Sequence, residues 1–165
     1  SLGLDQLWWM VTPGNPLKSG RYLAPLRERI ALSEQMADDP RIRVTAFEKS
    51  LGSSYTAQVL EKVKARNPGV RFIWIMGADN LRDFHRWQKW QKIAETFPIA
   101  VIDRPGATLA FLSSTMAKTF DHARVDEHDA LTLGNARAPA WTFIHGPRSI
   151  LSSTAIRTAS APRKS

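Results

Sequence analysis

The chain has 165 residues, of which 43% are hydrophobic and 23% charged, values that suit one globular domain with its own core and not a disordered chain. The absence of cysteine excludes disulfides, thiolate metal sites and cysteine nucleophiles, and fits a reducing, cytoplasmic setting; no apolar run approaches the roughly 20 residues that a membrane-spanning helix needs. With 23 Lys and Arg against 15 Asp and Glu, the net charge is +8 and the pI is near 10.3, which favours polyanionic partners (nucleic acid, acidic lipid or phosphorylated small molecules) without choosing among them.

In chain order, Leu2-Gly3 reads as the end of a helix with its glycine cap, and a helix needs more residues before its cap than stand here. A segment is therefore expected upstream. "LWWMVT" (7–12) predicts a buried strand, closed by Pro13-Gly14 and followed by a loop. "APLRERIALSEQMA" predicts a helix with Pro25 in its first turn and Leu26 and Ile30 on one face. The strand "IRVTAF" comes next, then a helix over "SSYTAQVLEKVKAR" that stops at Asn67-Pro68-Gly69. The strand "RFIWIM", the helix "WQKWQKIAETF" and the strand "IAVID" follow. "TLAFLSSTMAKTF" has the pattern of a helix, whereas "DHARVDEHDALTLGNARAPA" reads as a long surface segment. "WTFIHG" predicts a last strand, and "SSTAIRTAS" begins a last short helix. Strands that are apolar on both faces and alternate with helices predict a single α/β domain with a parallel sheet covered on two sides.

In such a sheet, ligands sit outside the carboxyl ends of the strands. Gly77-Ala78-Asp79 occupies one such end. The glycine admits close approach of a ligand, and the Asp79 carboxylate suits ribose hydroxyls or, equally, capping of the next helix. Trp90 reads as core packing, while Trp87, nearer the strand end, could offer its face to a flat ring. "ILSSTAIR" sets Ser152, Ser153 and Thr154 ahead of a short helix carrying Arg157. That is either a phosphate site or an ordinary helix cap with a solvated arginine. Metal-ligand spacing among His85, His122, His128 and His145, a Walker loop, a GxGxxG turn and nucleic-acid recognition signatures are all absent.

"LWWMVTPGNPLK", "SSYTAQVL", "MGADNLRDFHRW", "DRPG" and "LSSTAIR", in this order and spacing, closely resemble the bacterial nicotinate mononucleotide adenylyltransferases of the nucleotidyltransferase superfamily. The resemblance runs from about Leu2 to Arg157 and implies a Rossmann-like parallel sheet with helices on both faces. It implies ATP and nicotinate mononucleotide as substrates, nicotinate adenine dinucleotide and pyrophosphate as products, and a step of NAD biosynthesis. Thr56 and the Ala57 backbone would hold the nicotinate carboxylate, and Trp87 would stack on the pyridine ring. Asn15, Lys18 and Arg104 match positions on the mononucleotide side. Gly77 and Asp79 match the ribose loop. Ser152, Ser153, Thr154 and Arg157 match the ATP phosphate site, with Ser153 and Arg157 carried over as catalytic. Because the nucleophile is already an anionic phosphate, the reaction needs in-line positioning and charge neutralisation by cations and Mg²⁺, not a strong base.

Two departures from the family stand out. Gln88 occupies a position where several members carry tyrosine. The family's glycine-rich opening, of the type GGxFxPxHxGH with paired histidines on the ATP phosphates, has no counterpart, since the first histidine is His85. The expectation is an N-terminally truncated enzyme that lacks the first strand and helix and has little activity. A pantetheine-phosphate-type adenylyltransferase is the nearest chemical rival, although Thr56 and Trp87 in their motifs argue against it; a non-catalytic basic fragment that binds nucleotides or nucleic acid is another. The expected partners are small nucleotides, with neither nucleic acid nor membrane, and a homo-oligomer is left open.

Overall fold

The structure, a computed structural model, describes residues 2–12, 24–47, 55–103 and 113–145. The predicted helix over "SSTAIRTAS" lies outside them. Among the described residues five strands alternate with helices: β1 (Leu7–Met10), α1 (Leu26–Met36), β2 (Ile42–Thr45), α2 (Thr56–Arg66), β3 (Trp74–Gly77), α3 (Ala78–Leu81), α4 (Trp90–Thr96), β4 (Ile99–Ile102), α5 (Thr115–Thr119) and β5 (Trp141–Ile144). Short 3₁₀ helices cover Phe84–Arg86, Asp121–Ala123 and Glu127–Asn135. All pairings are parallel. β1 pairs with β2, and β3, β4 and β5 form a sheet in that order.

β4 shows why this sequence makes such a sheet. A central parallel strand is covered on both faces, so it cannot alternate apolar with polar residues. Ile99, Ala100 and Val101 are accordingly all fully buried. Ile99 and Val101 face the main core, with Met76, Trp141 and Phe143 from the neighbouring strands and Ala57, Leu60, Leu81, Phe84, Ile93 and Met116 from the helices. Ala100 faces a second, smaller cluster with Leu2, Ala130, Leu133 and Ala140. The small side chain leaves room for Leu133, which is also fully buried.

That second cluster corrects one expectation. Residues 121–140 are no plain surface segment: the 3₁₀ helix Glu127–Asn135 lies over the sheet and buries Ala130 and Leu133. These two residues are three apart, the repeat of a 3₁₀ helix, and a single such pair is too short a pattern to mark a helix against a strand or loop in the sequence. The amino-terminal residues reach the same cluster through Leu2 and Leu4. Gly3 takes the left-handed backbone (φ 60) that the cap reading requires, and a Cβ there would stand 3.1 Å from Leu131 Cδ2.

Contacts between aromatic rings join the two sheets. Trp8 of β1 meets Phe72 at 5.5 Å between centroids, and Phe72 meets Phe97 at 6.5 Å. Trp90 sets its edge against Phe84 and Phe120 at 5.9 and 6.0 Å, in agreement with its reading as core. Trp141, the largest fully buried side chain, satisfies its indole N–H on the Phe120 carbonyl at 2.8 Å, and the Arg124 guanidinium lies 5.6 Å from its ring.

Among the described residues, Thr45 Oγ1, Trp74 Nε1 and Thr142 Oγ1 are buried polar atoms that break this pattern. Thr142 in β5 is fully buried, and its hydroxyl has no hydrogen-bond partner. Valine has nearly the same shape without the stranded hydroxyl, and leaving such a group unsatisfied costs about 1–3 kcal/mol. Thr142→Val is expected to raise the unfolding free energy by about 1 kcal/mol, read as a higher urea midpoint with an unchanged m-value. A lower midpoint would show that the hydroxyl has a partner in solution.

Candidate active site

Because the strands run in register, Gly77, Ile102 and Ile144 lie side by side. The chain leaves β3, β4 and β5 at one level, through Ala78, Asp103 and His145. This is the edge where an open parallel sheet binds ligands. Gly77 has an ordinary extended backbone (φ −74, ψ 150), so a left-handed turn is not the reason for glycine there. Asp79 is exposed in the first turn of α3, whose cap position is Gly77, and no side chain caps that helix. An acidic side chain in the first turn suits the positive end of the helix, so helix stabilisation and ribose binding both remain readings of Asp79.

The direction of α2 follows from its contacts. Near its carboxyl end, Lys64 donates to the Thr96 carbonyl at 3.3 Å and sits 5.4 Å from the Phe97 ring, just ahead of the start of β4. Its amino end therefore points to the carboxyl edge of the sheet. There the Gln58 and Val59 N–H groups both donate to the Tyr55 carbonyl, at 3.0 and 3.2 Å. The first two amides, Thr56 and Ala57, come before the first intrahelical bonds of α2. They form a donor pair at the positive end of the helix dipole, while the Ala57 methyl is buried in the core. Trp87 follows the 3₁₀ turn Phe84–Arg86 beyond β3 and is half-buried. Its ring meets fully buried Phe84 edge-on at 5.3 Å, which anchors the indole and leaves part of it at the surface.

Thr56, Ala57, Gly77, Asp79 and Trp87 are thus placed on elements that meet at the strand ends. Asn15, Lys18, Arg104, Ser152, Ser153, Thr154 and Arg157 lie outside the described residues. One feature of this edge had no sequence signal. The Glu127 carboxylate accepts from the His145 backbone N–H at 2.7 Å and lies 2.6 Å from His145 Nδ1. The two residues are 18 apart and belong to different elements, so no local spacing reveals the pair. The His145 ring beside Glu127 holds its carboxyl below the usual glutamate range, helped by the His145 amide and opposed by partial burial. A third residue without a sequence signal is Arg29, whose guanidinium donates to the Thr12 carbonyl at 2.7 Å and the Ala24 carbonyl at 3.0 Å.

A parallel sheet with its donors gathered at the carboxyl edge is a nucleotide-binding design, and the family model described as "Cytidylyltransferase-like" matches residues 2–159, so the chain belongs to that family. Within it, the chain groups with the nicotinate-nucleotide adenylyltransferases. It is 73% identical over 98% of its length to a protein of Rhizobium etli and covers 84% of that protein. It is 74% identical over 94% of its length to one of Agrobacterium fabrum, of which it covers 83%. Both carry the name "Probable nicotinate-nucleotide adenylyltransferase". The fold is also that of the Plasmodium falciparum nicotinic acid mononucleotide adenylyltransferase solved with NaAD, with a TM-score of 0.61 at 15% identity, covering 94% of this chain and 69% of that one.

The Glu127–His145 pair sets an expectation for pH. A carboxyl held low in the folded state adds stability above its unfolded pKa, and that stability is lost as pH falls through the folded value. Glu127→Gln is expected to flatten this part of the acid unfolding curve. The gap in unfolding free energy between wild type and variant should be widest at neutral pH and shrink toward pH 3. A gap independent of pH would mean that the carboxylate contributes nothing through its charge.

Proposed function

We propose that the chain transfers the adenylyl group of ATP to nicotinate mononucleotide, giving nicotinate adenine dinucleotide and pyrophosphate, the reaction for which its relatives are named. The observation that carries this reading is the pairing of the Thr56 and Ala57 amides, at the start of α2, with the half-buried Trp87 at the same edge of the sheet. Two N–H donors at a helix start suit a carboxylate, and a partly exposed indole suits a flat ring. A nicotinate bears both groups on one rigid body. Asp79, exposed beyond β3, is assigned to ribose hydroxyls, with Gly77 giving access. Asn15, Lys18 and Arg104 are assigned to the mononucleotide, and Ser152, Ser153, Thr154 and Arg157 to the ATP phosphates. We place this activity on residues 1–165 as a single domain working in the cytoplasm.

In this reading a phosphate oxygen of the mononucleotide attacks the α-phosphorus of ATP, and the bond to the β-phosphate oxygen breaks to release pyrophosphate. The nucleophile is anionic from the outset, so the residues work by alignment and charge neutralisation. Mg²⁺ is assigned to the ATP phosphates as part of the co-substrate, the usual mode for an ion that keeps several waters and takes few protein ligands. When bound, the ion would offset charge on the phosphates.

Calorimetric titration tests the reading. Nicotinate mononucleotide should bind saturably, without competition from pantetheine phosphate or duplex DNA. Trp87→Ala should weaken mononucleotide binding by about 1–3 kcal/mol, or tenfold and more, the range measured for loss of a stacking platform. ATP binding should change far less. Unaltered mononucleotide affinity in Trp87→Ala would return Trp87 to core packing alone, and displacement by pantetheine phosphate would favour the rival substrate.

A further inference from the structure

Among the described residues, Lys89 is the one residue other than glycine with a left-handed backbone (φ 55, ψ 36). It stands at the cap position of α4, with its side chain exposed. Lysine adopts such angles at a steric cost, whereas glycine and asparagine take them readily. Residues held in this way collect where a chain must place a neighbour accurately.

The neighbour here is Trp87. The Trp90 N–H donates to the Trp87 carbonyl at 3.2 Å, which closes a turn with Gln88 and Lys89 at its two central positions. A left-handed residue in the third place is one device for reversing a chain within four residues. On its other side, the Trp87 N–H donates to the Phe84 carbonyl at 2.9 Å. The backbone of Trp87 is thus tied through both of its polar groups.

The two ends of this turn differ in character. Trp90 is fixed in the core by its edge contacts with Phe84 and Phe120. Trp87 touches the same Phe84 but remains half-buried at the carboxyl edge of the sheet. The turn therefore carries the rigidity of a core ring to a ring at the surface. The Lys89 ammonium acts in another direction: after Lys92, whose hydrogen bond is the larger cause, its charge helps to hold the Glu61 carboxyl below the usual glutamate range.

We propose that Lys89 is a positioning residue for nicotinate mononucleotide, its left-handed backbone closing the turn that aims the Trp87 indole at the pyridine ring. The part that concerns the ligand rests on the function proposed above. The backbone carries this role, not the ammonium, so two uncharged variants separate them. Lys89→Asn keeps a residue that tolerates the left-handed region, whereas Lys89→Val places a β-branched residue where it is a genuine outlier.

Mononucleotide and ATP affinities of wild type and both variants are measured by calorimetry. The Trp87 indole N–H resonance, identified by its loss in Trp87→Phe, reports the setting of the ring without any ligand. Lys89→Val is expected to weaken the mononucleotide by about fivefold or more, because only chains with the turn closed bind tightly, and to shift the Trp87 resonance. ATP affinity in Lys89→Val, and both affinities in Lys89→Asn, should stay within about twofold of wild type. Equal losses in the two variants would assign the effect to the ammonium and overturn the proposal. Unchanged mononucleotide affinity in Lys89→Val, or equal weakening of both nucleotides, would overturn it as well. Should Lys89→Val fail to fold, Lys89→Thr is read in the same way. If the wild-type chain binds no mononucleotide, the functional reading is what fails, and the resonance alone judges the turn. A shift in Lys89→Val that is absent from Lys89→Asn would uphold its hold on Trp87, and any other pattern would dismiss it.

Discussion

The substrate edge depends on the register between β3, β4 and β5. Parallel pairing fixes which residues stand side by side, and a slip of one position would turn every side chain of a strand to the opposite face. Here such a slip would push Ile99 and Val101 against Leu133 and leave Ala100 facing Trp141 and Phe143. The main core would then hold a void and the second cluster a clash. The difference in size between the two faces of β4 therefore keeps the strand ends level. The chain ends that leave at Gly77, Asp103 and His145 inherit their alignment from packing that touches no ligand.

Much of this was legible in the sequence. The strands read from apolar runs appear where expected, and the run ending at Gly77 does mark the rim of the sheet. Asn67 closes α2 as read, with its side-chain amide donating to the Val63 carbonyl at 2.8 Å. What escaped the sequence shares one physical character. The 3₁₀ helix at 127–135 buries only Ala130 and Leu133, too few apolar positions to raise a periodic signal above the polar residues around them. Arg29 binds backbone carbonyls, which every residue owns and no sequence pattern announces. Glu127 and His145 meet only because β5 and the preceding 3₁₀ helix pack together. On α1 the expected face of Leu26 and Ile30 is half-buried, but the residue it buries most fully is Ser33. Of the candidate site, the residues on regular elements could be placed from strand and helix ends. Their assignment to a particular substrate came from the resemblance, since local spacing allowed a cap or a core ring equally well.

The excess of positive charge has its use at long range. The ion pairs Arg41–Asp39, Arg82–Asp83 and Lys92–Glu61 join well-exposed partners, and pairs of that kind add little to stability. They are local ties that leave the balance of +8 untouched. A field of that sign raises the local concentration of phosphate-bearing molecules around the whole protein. Under the proposed function, the sheet edge then selects among what the field collects, by shape and by the amides at the start of α2. Attraction and discrimination are thus handled by different parts of the chain.

The outer margin of β5 illustrates how a segment that reads as surface can protect a fold. A strand at the end of a sheet offers its outward N–H and C=O groups to any other extended chain, and such rows seed aggregation. On β5 the Trp141 carbonyl accepts from the Val125 N–H at 2.7 Å, and just past the strand the His145 N–H donates to Glu127. Both ends of the row are occupied by residues of the same molecule. A foreign strand approaching this margin would have to displace Val125 and Glu127 before it could form its first bonds. The stretch from Arg124 to Asn135 thus acts as a built-in competitor against intermolecular β-pairing, and sequence changes that loosen it should show first as turbidity in concentrated solution.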